Sequence, residues 1–144
     1  MDEQLLVDFL NGRASAAELG RRLLAAQLEP ESPNFRSSAH YRVTPLAVPV
    51  VITLQQVERL VAAAETGSLT DEQIGIAVFL LEASPDSFQW DTDTPEGNRI
   101  ANVLFWLGSW QINYPLTRAN LAAFRQYLAT GTPFDDEDPR QRGA

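Results

Sequence analysis

Apolar residues recur three and four positions apart along most of this chain, which is the spacing of an amphipathic helix. In one segment, for example, Ile100, Val103 and Leu107 share a helical face. The helices predicted by this pattern span residues 2–11, 16–27, 54–65, 71–83, 95–110 and 118–129. The expected fold is therefore all-α, a single-domain bundle of about six helices.

Serine or threonine precedes five of these segments, where its side chain can accept hydrogen bonds from the free amides of a helix start. The predicted caps are Ser15, Thr53, Thr70, Thr94 and Thr117. Glu or Gln follows each of the first three caps after three residues, which is the spacing of a capping box.

A short repeat occurs at two of these helix starts. Gly12–Leu19 and Gly67–Ile74 share the order glycine, two residues, cap, two residues, box partner and apolar residue. Glycine can end one helix in a left-handed conformation and the cap can start the next, so each repeat predicts a helical hairpin. An internal duplication and convergence on a common connector both explain the repeat.

Two parts of the chain lack the helical pattern. Residues 29–51 contain four prolines and are interpreted as a proline-rich connector. At its end, Val48–Ile52 is apolar and β-branched, which indicates an extended strap or a short edge strand. Residues 132–144 lack apolar anchors after Phe134 and predict a mobile acidic tail, which leaves 1–131 as the domain.

Charge and composition exclude several functions. The chain has 11 basic and 19 acidic residues, a net charge of -8, whereas a protein that binds nucleic acid needs a basic surface. It has no cysteine, and its one histidine, His40, is interpreted as an ordinary loop residue. Asp91–Glu96 resembles the start of a calcium loop, but Pro95 and Glu96 occupy a ligand position and the turn-glycine position. We expect no catalytic residue, cofactor or metal site, and a protein that is not an enzyme.

The N-terminus carries Asp2 and Glu3 where a signal peptide has positive charge. No apolar run approaches the roughly 18 residues of a membrane span. The sequence therefore predicts a soluble, cytoplasmic protein without a membrane partner.

Residues 82–96 combine carboxylates with aromatic rings and contain no basic residue. Negative charge speeds the encounter with a cationic protein, and an exposed aromatic ring can anchor the contact. In the alternative interpretation, Phe88 and Trp90 fold back onto the core and the acids are simply solvated.

The fifth predicted helix also has two interpretations. In the favoured one it is the central helix of the bundle, and in the other it offers Trp106 to a partner. The candidate partner-binding residues are Glu82, Asp86, Phe88, Trp90, Asp91, Asp93, Glu96 and Trp106.

Several segments resemble a known group of proteins. Leu6–Leu19 looks like the opening hairpin of small helical bacterial immunity proteins of the colicin D type. The region from Val50 to Leu128 is similar to immunity proteins of contact-dependent and polymorphic toxin systems. The segments that carry this second likeness are Val51–Thr53, Gly67–Thr70, Phe88–Asp91 and Ile112–Thr117.

The resemblance implies an antidote that binds a cognate toxin, one expected to be basic, and blocks its active site or its substrate surface. Many such toxins act on nucleic acid, and an acidic inhibitor can compete for the surface that would hold phosphate. The main alternative is a helical adaptor or scaffold, with self-association through Trp106 or Trp110. An enzyme is the least favoured class, since it would require Asp91, Asp93 or Glu96 to be buried together in a pocket.

Overall fold

A computed structural model describes residues 2–28, 45–111 and 114–132, with side chains described up to Leu23 in the first range. His40, residues 29–44 of the connector and residues 133–144 of the tail lie outside the described residues. The six helices are α1 (Glu3–Leu10), α2 (Ala16–Leu28), α3 (Leu54–Thr66), α4 (Asp71–Ala83), α5 (Pro95–Gly108) and α6 (Arg118–Thr130). The predicted all-α bundle is confirmed, and every predicted helix is present.

All five predicted caps are formed. Thr53 and Thr70 make complete capping boxes with Gln56 and Gln73, in which each glutamine side chain also bonds the amide of its cap. The remaining caps, at Ser15, Thr94 and Thr117, each accept a hydrogen bond from a backbone amide three residues later. Five helix starts are therefore fixed by local hydrogen bonds that the sequence specifies.

The two repeated glycines have the predicted left-handed backbone, with φ of 79° at Gly12 and 74° at Gly67. α1 and α2 contact each other across the first glycine turn, and α3 and α4 across the second. Both helical hairpins are therefore present.

The apolar segment before α3 forms a strand. β1 (Val50–Val51) pairs in parallel with β2 (Phe88–Gln89), with Val50 opposite Phe88. The amide of Val50 donates to the carbonyl of Ser87 at 2.7 Å, and the amide of Ile52 donates to that of Gln89 at 2.9 Å. The described sheet has these two strands only, so β1 is an edge strand, and Pro49 lies just before it where it removes no ladder hydrogen bond.

All six helices contribute buried residues to the core, and α3 and α5 lie at its centre. α3 packs against α1, α4, α5 and α6, while α5 packs against α3, α4 and α6. The favoured interpretation of α5 as a central helix thus agrees with its surroundings. It ends at Gly108 rather than at the predicted residue 110, because Ser109 turns back to bond the carbonyls of Phe105 and Trp106.

Glu3 is buried, with 1% of its surface exposed, although it belongs to the first turn of α1. Its Oε1 accepts hydrogen bonds from the Ser87 hydroxyl at 2.5 Å and from the Leu46 amide at 3.1 Å. One carboxyl group thus joins the first helix, the end of the connector and the loop between α4 and β2.

No helix in the described ranges is long and apolar enough to cross a membrane.

Candidate functional site

The five acids of residues 82–96 are all exposed in the structure. Glu82 lies in the last turn of α4, Asp86 in the loop that follows, and Glu96 in the first turn of α5. The chain has no basic residue between Arg59 and Arg99, so the segment from Glu82 to Glu96 contains no arginine of its own. We call these five residues, Glu82, Asp86, Asp91, Asp93 and Glu96, the acidic surface.

The loop between β2 and α5 is held by hydrogen bonds of its own. The Asp91 carboxylate accepts from the Asp93 amide at 2.9 Å, and the Asp91 carbonyl accepts from the Thr94 hydroxyl at 2.7 Å. Thr94 Oγ1 in turn accepts from the Gly97 amide and caps α5. Asp91 thus has a structural role in the turn, whereas the carboxylates of Asp86 and Asp93 accept no hydrogen bond from any described residue.

The two aromatic rings of the segment have different environments: Phe88 lies in strand β2, whereas Trp90 follows the end of that strand. Phe88 is 2% exposed and packs in the core, so it follows the alternative in which the ring folds back. Trp90 is half-buried and rests on the core with part of its ring open. Trp90 is therefore the aromatic residue of the segment that a partner could contact.

A cavity of about 250 Å³ opens between the end of α4 and β2. Apolar side chains form most of its wall, and Glu82 supplies a carboxylate at its side. We call this cavity the Glu82 cleft, and it is lined by Leu81, Glu82, Pro85, Phe88, Gln89 and Trp90.

The structure perturbs the ionisation of Glu82. Burial against neighbouring protein atoms raises the pKa of its carboxyl group above the ordinary value. Glu82 forms no hydrogen bond or ion pair with any described residue. The structure thus holds a partly desolvated carboxylate with no described cation beside it, and such a group is more stable when a cation is paired with it.

Comparison with protein-family models, curated proteins and solved structures finds no significant match to this chain.

Trp106 lies on the flank of α5 that faces α6. Its ring stacks on Phe124 at a centroid distance of 5.4 Å and meets Tyr127 edge-on at 5.0 Å, so it covers α6. Gly108, on the other flank of α5, faces Val78 and Glu82 of α4. Trp106 is thus on the α6 side of the helix, away from the Glu82 cleft, and the structure does not bring it together with the acidic surface.

The acids offer no enclosed catalytic site. Asp91, Asp93 and Glu96 are exposed, and none of them lines a described cavity. Within the described ranges, no group of three His, Asp or Glu side chains is placed to hold a metal ion. The arrangement is suited to recognising a positively charged group at a surface.

Sequence reasoning missed three residues of the cleft, Leu81, Pro85 and Gln89. Leu81 follows the helical pattern and is typical of a core residue, and Pro85 is typical of a helix end. The cleft exists because β2 pairs with β1 and turns back beside the end of α4. That pairing joins residues far apart in the chain, so no local signal could have indicated the cavity.

Removing the Glu82 charge is expected to stabilise the protein at neutral pH. Because the raised pKa means that the folded state binds this proton more tightly than the unfolded chain, stability falls as pH rises through the pKa range of Glu82. Glu82→Gln should therefore raise the urea midpoint at pH 7, and this gain should vanish below the ordinary pKa of 4.5, where both states are protonated.

Glu58→Gln is the matched control, since Glu58 is an exposed glutamate on α3 and its substitution removes the same charge from a protein with a net charge of -8. Equal gains for the two variants at pH 7, or a gain for Glu82→Gln that persists in acid, would contradict a desolvated Glu82.

Proposed function

We propose that this chain is an immunity protein that binds and neutralises a cognate basic toxin through the acidic surface. The observation that carries the proposal is the exposure of five carboxylates in a segment that has no basic residue and that also supplies a cleft and a half-buried tryptophan. The segments that resemble immunity proteins support the same function. In this function the chain acts by covering a surface of the toxin and performs no reaction.

In the proposed complex, charge brings the two proteins together and apolar contact area holds them. Exposed carboxylates such as Asp86 and Asp93 attract a cationic protein over a distance near the Debye length, about 8 Å at physiological salt. The open part of Trp90 then contributes apolar contact that charge alone does not supply. A toxin that binds phosphate would present a basic surface of the required sign.

The test pairs the full chain with the protein encoded by the adjacent upstream reading frame. We expect the two to co-purify and the chain to restore growth to cells that produce the toxin. Asp86→Lys combined with Asp93→Lys should slow association about tenfold at low salt and flatten its salt dependence, as measured by stopped-flow fluorescence. Asp91 is left unchanged because its carboxylate holds the turn.

The control for this variant is a charge reversal elsewhere, Glu58→Lys on α3, which changes the net charge by the same amount for each substitution. An association rate that responds equally to both sites would contradict the placement on the acidic surface. The absence of any complex with the adjacent gene product, together with no rescue of growth, would overturn the proposed function.

A helical adaptor that self-associates is the second candidate, and one observation favours it. Phe105 of α5 is 52% exposed and stands edge-on to Tyr114 at 6.3 Å, which leaves apolar surface on the outside of the bundle. Sedimentation of the isolated chain separates the candidates. A stable dimer that Phe105→Ser dissociates would favour the adaptor, whereas a monomer would favour the immunity protein.

A further inference from the structure

The Glu82 cleft has the size of a site for one side chain. Its volume of about 250 Å³ is below the roughly 300–1,000 Å³ of pockets that bind a small organic molecule. It is open at the surface, and its walls are the flat or apolar faces of residues such as Leu81, Pro85 and Trp90. A long side chain that reaches in from another protein fits these dimensions better than a free metabolite does.

The negative charge of the cleft favours a positively charged side chain as its ligand. Glu82 is the carboxylate of the cleft, and it has neither an ion pair nor a hydrogen bond within the described part of the chain. Asp86 follows it by four residues, and the next basic residue along the chain is Arg99. Arg99 is itself engaged, because its guanidinium bonds the carbonyl of Leu128 at the end of α6. The cleft therefore lacks a cation of its own among the described residues.

We propose that the Glu82 cleft receives an arginine side chain of the partner protein, with the guanidinium paired to Glu82 and packed against the indole of Trp90. A guanidinium is planar and weakly hydrated, so it can stack on an aromatic ring while it donates two hydrogen bonds to one carboxylate. The ammonium of lysine is compact and strongly hydrated, and it would lose more hydration in a cleft with apolar walls. The side chain of Gln89 adds a polar group at the rim.

That the arginine belongs to a partner protein rests on the proposed function. Binding of an arginine side chain to the cleft can be measured on the chain alone. The probe is N-acetyl-arginine methylamide, and its neutral isostere N-acetyl-citrulline methylamide is the matched control. The readout is the indole N–H signal of Trp90 in a nitrogen-15 NMR spectrum of the full chain, assigned with Trp90→Phe. Trp106 and Trp110 provide internal reference signals, since the chain has three tryptophans.

We expect the arginine probe to shift the Trp90 signal in a saturable way and the citrulline probe to bind at least about fivefold more weakly. Glu82→Gln should weaken the arginine probe by a similar factor, whereas Asp93→Asn, on the same surface but outside the cleft, should change it by less than about twofold. The comparison of the two probes on the unmodified chain needs no variant to fold.

Equal shifts with both probes, or shifts confined to Trp106 and Trp110, would overturn the arginine site. So would equal losses in Glu82→Gln and Asp93→Asn, since these would show a general effect of negative charge. If a toxin binds the chain but the arginine probe does not, the arginine site is overturned and the proposed function stands. If the probe binds as expected and no toxin does, the cleft chemistry stands and the proposed function fails.

Discussion

Replacing Gly97 by alanine is expected to destabilise the protein by about 3 kcal/mol, although the same change in an ordinary helix would stabilise it by about 1 kcal/mol. Gly97 lies in the first turn of α5, and a Cβ there would overlap the backbone carbonyl of Asp91. Thr94 Oγ1 is also close, at 2.9 Å from the position of that carbon. Because these atoms form the turn and the cap, the loop could make room only by giving up hydrogen bonds.

Urea denaturation of Gly97→Ala measures this cost, and Asn98→Ala is the matched control. Asn98 is the next residue of the helix and is exposed, so its replacement by alanine should change stability by less than about 0.5 kcal/mol. A Gly97→Ala variant as stable as Asn98→Ala would mean that the loop does not approach α5 as closely as described.

Truncation of Glu3 to alanine is the second substitution with a large expected effect, a loss of about 3 kcal/mol. The change leaves two buried donors, the Ser87 hydroxyl and the Leu46 amide, without their shared acceptor. It also opens space where a long side chain was fully enclosed. Both effects act on the same junction, so the connector and the loop before β2 should loosen together.

Glu3→Gln is the control that separates these effects, since it keeps the volume and one acceptor oxygen. It should lose less than half as much stability in urea as Glu3→Ala. Hydrogen exchange gives a local readout, because the Leu46 amide should lose protection in the alanine variant and retain most of it in the glutamine variant. Equal stability losses, or an unchanged Leu46 amide, would contradict the role of Glu3 as the shared acceptor.

The elements that the sequence predicts well are those whose causes are local. Thr53 and Gln56 are three residues apart and satisfy each other's backbone, so the start of α3 can be read from its own residues. The same is true of Thr70 and Gln73 at the start of α4. The apolar spacing then decides which face of each helix enters the core.

The site depends on contacts that no local pattern contains. Phe88 and Trp90 are two residues apart, yet Phe88 pairs with Val50 and is enclosed, whereas Trp90 lies beyond the strand pairing and is partly open. Glu3 is equally hidden from the sequence, since a glutamate in the first turn of a helix is usually solvated and favourable there. The residue that bonds its buried carboxyl group is Ser87, 84 positions away in the sequence.

That separation has a consequence for the order of folding. The helical hairpins close over short loops and can form within microseconds, whereas the contact between Glu3 and Ser87 must close most of the chain. Loop-closure entropy therefore makes this contact slower to form than the contacts within the hairpins. During synthesis, the carboxyl group of Glu3 can reach the Ser87 hydroxyl only after the chain has emerged beyond α4.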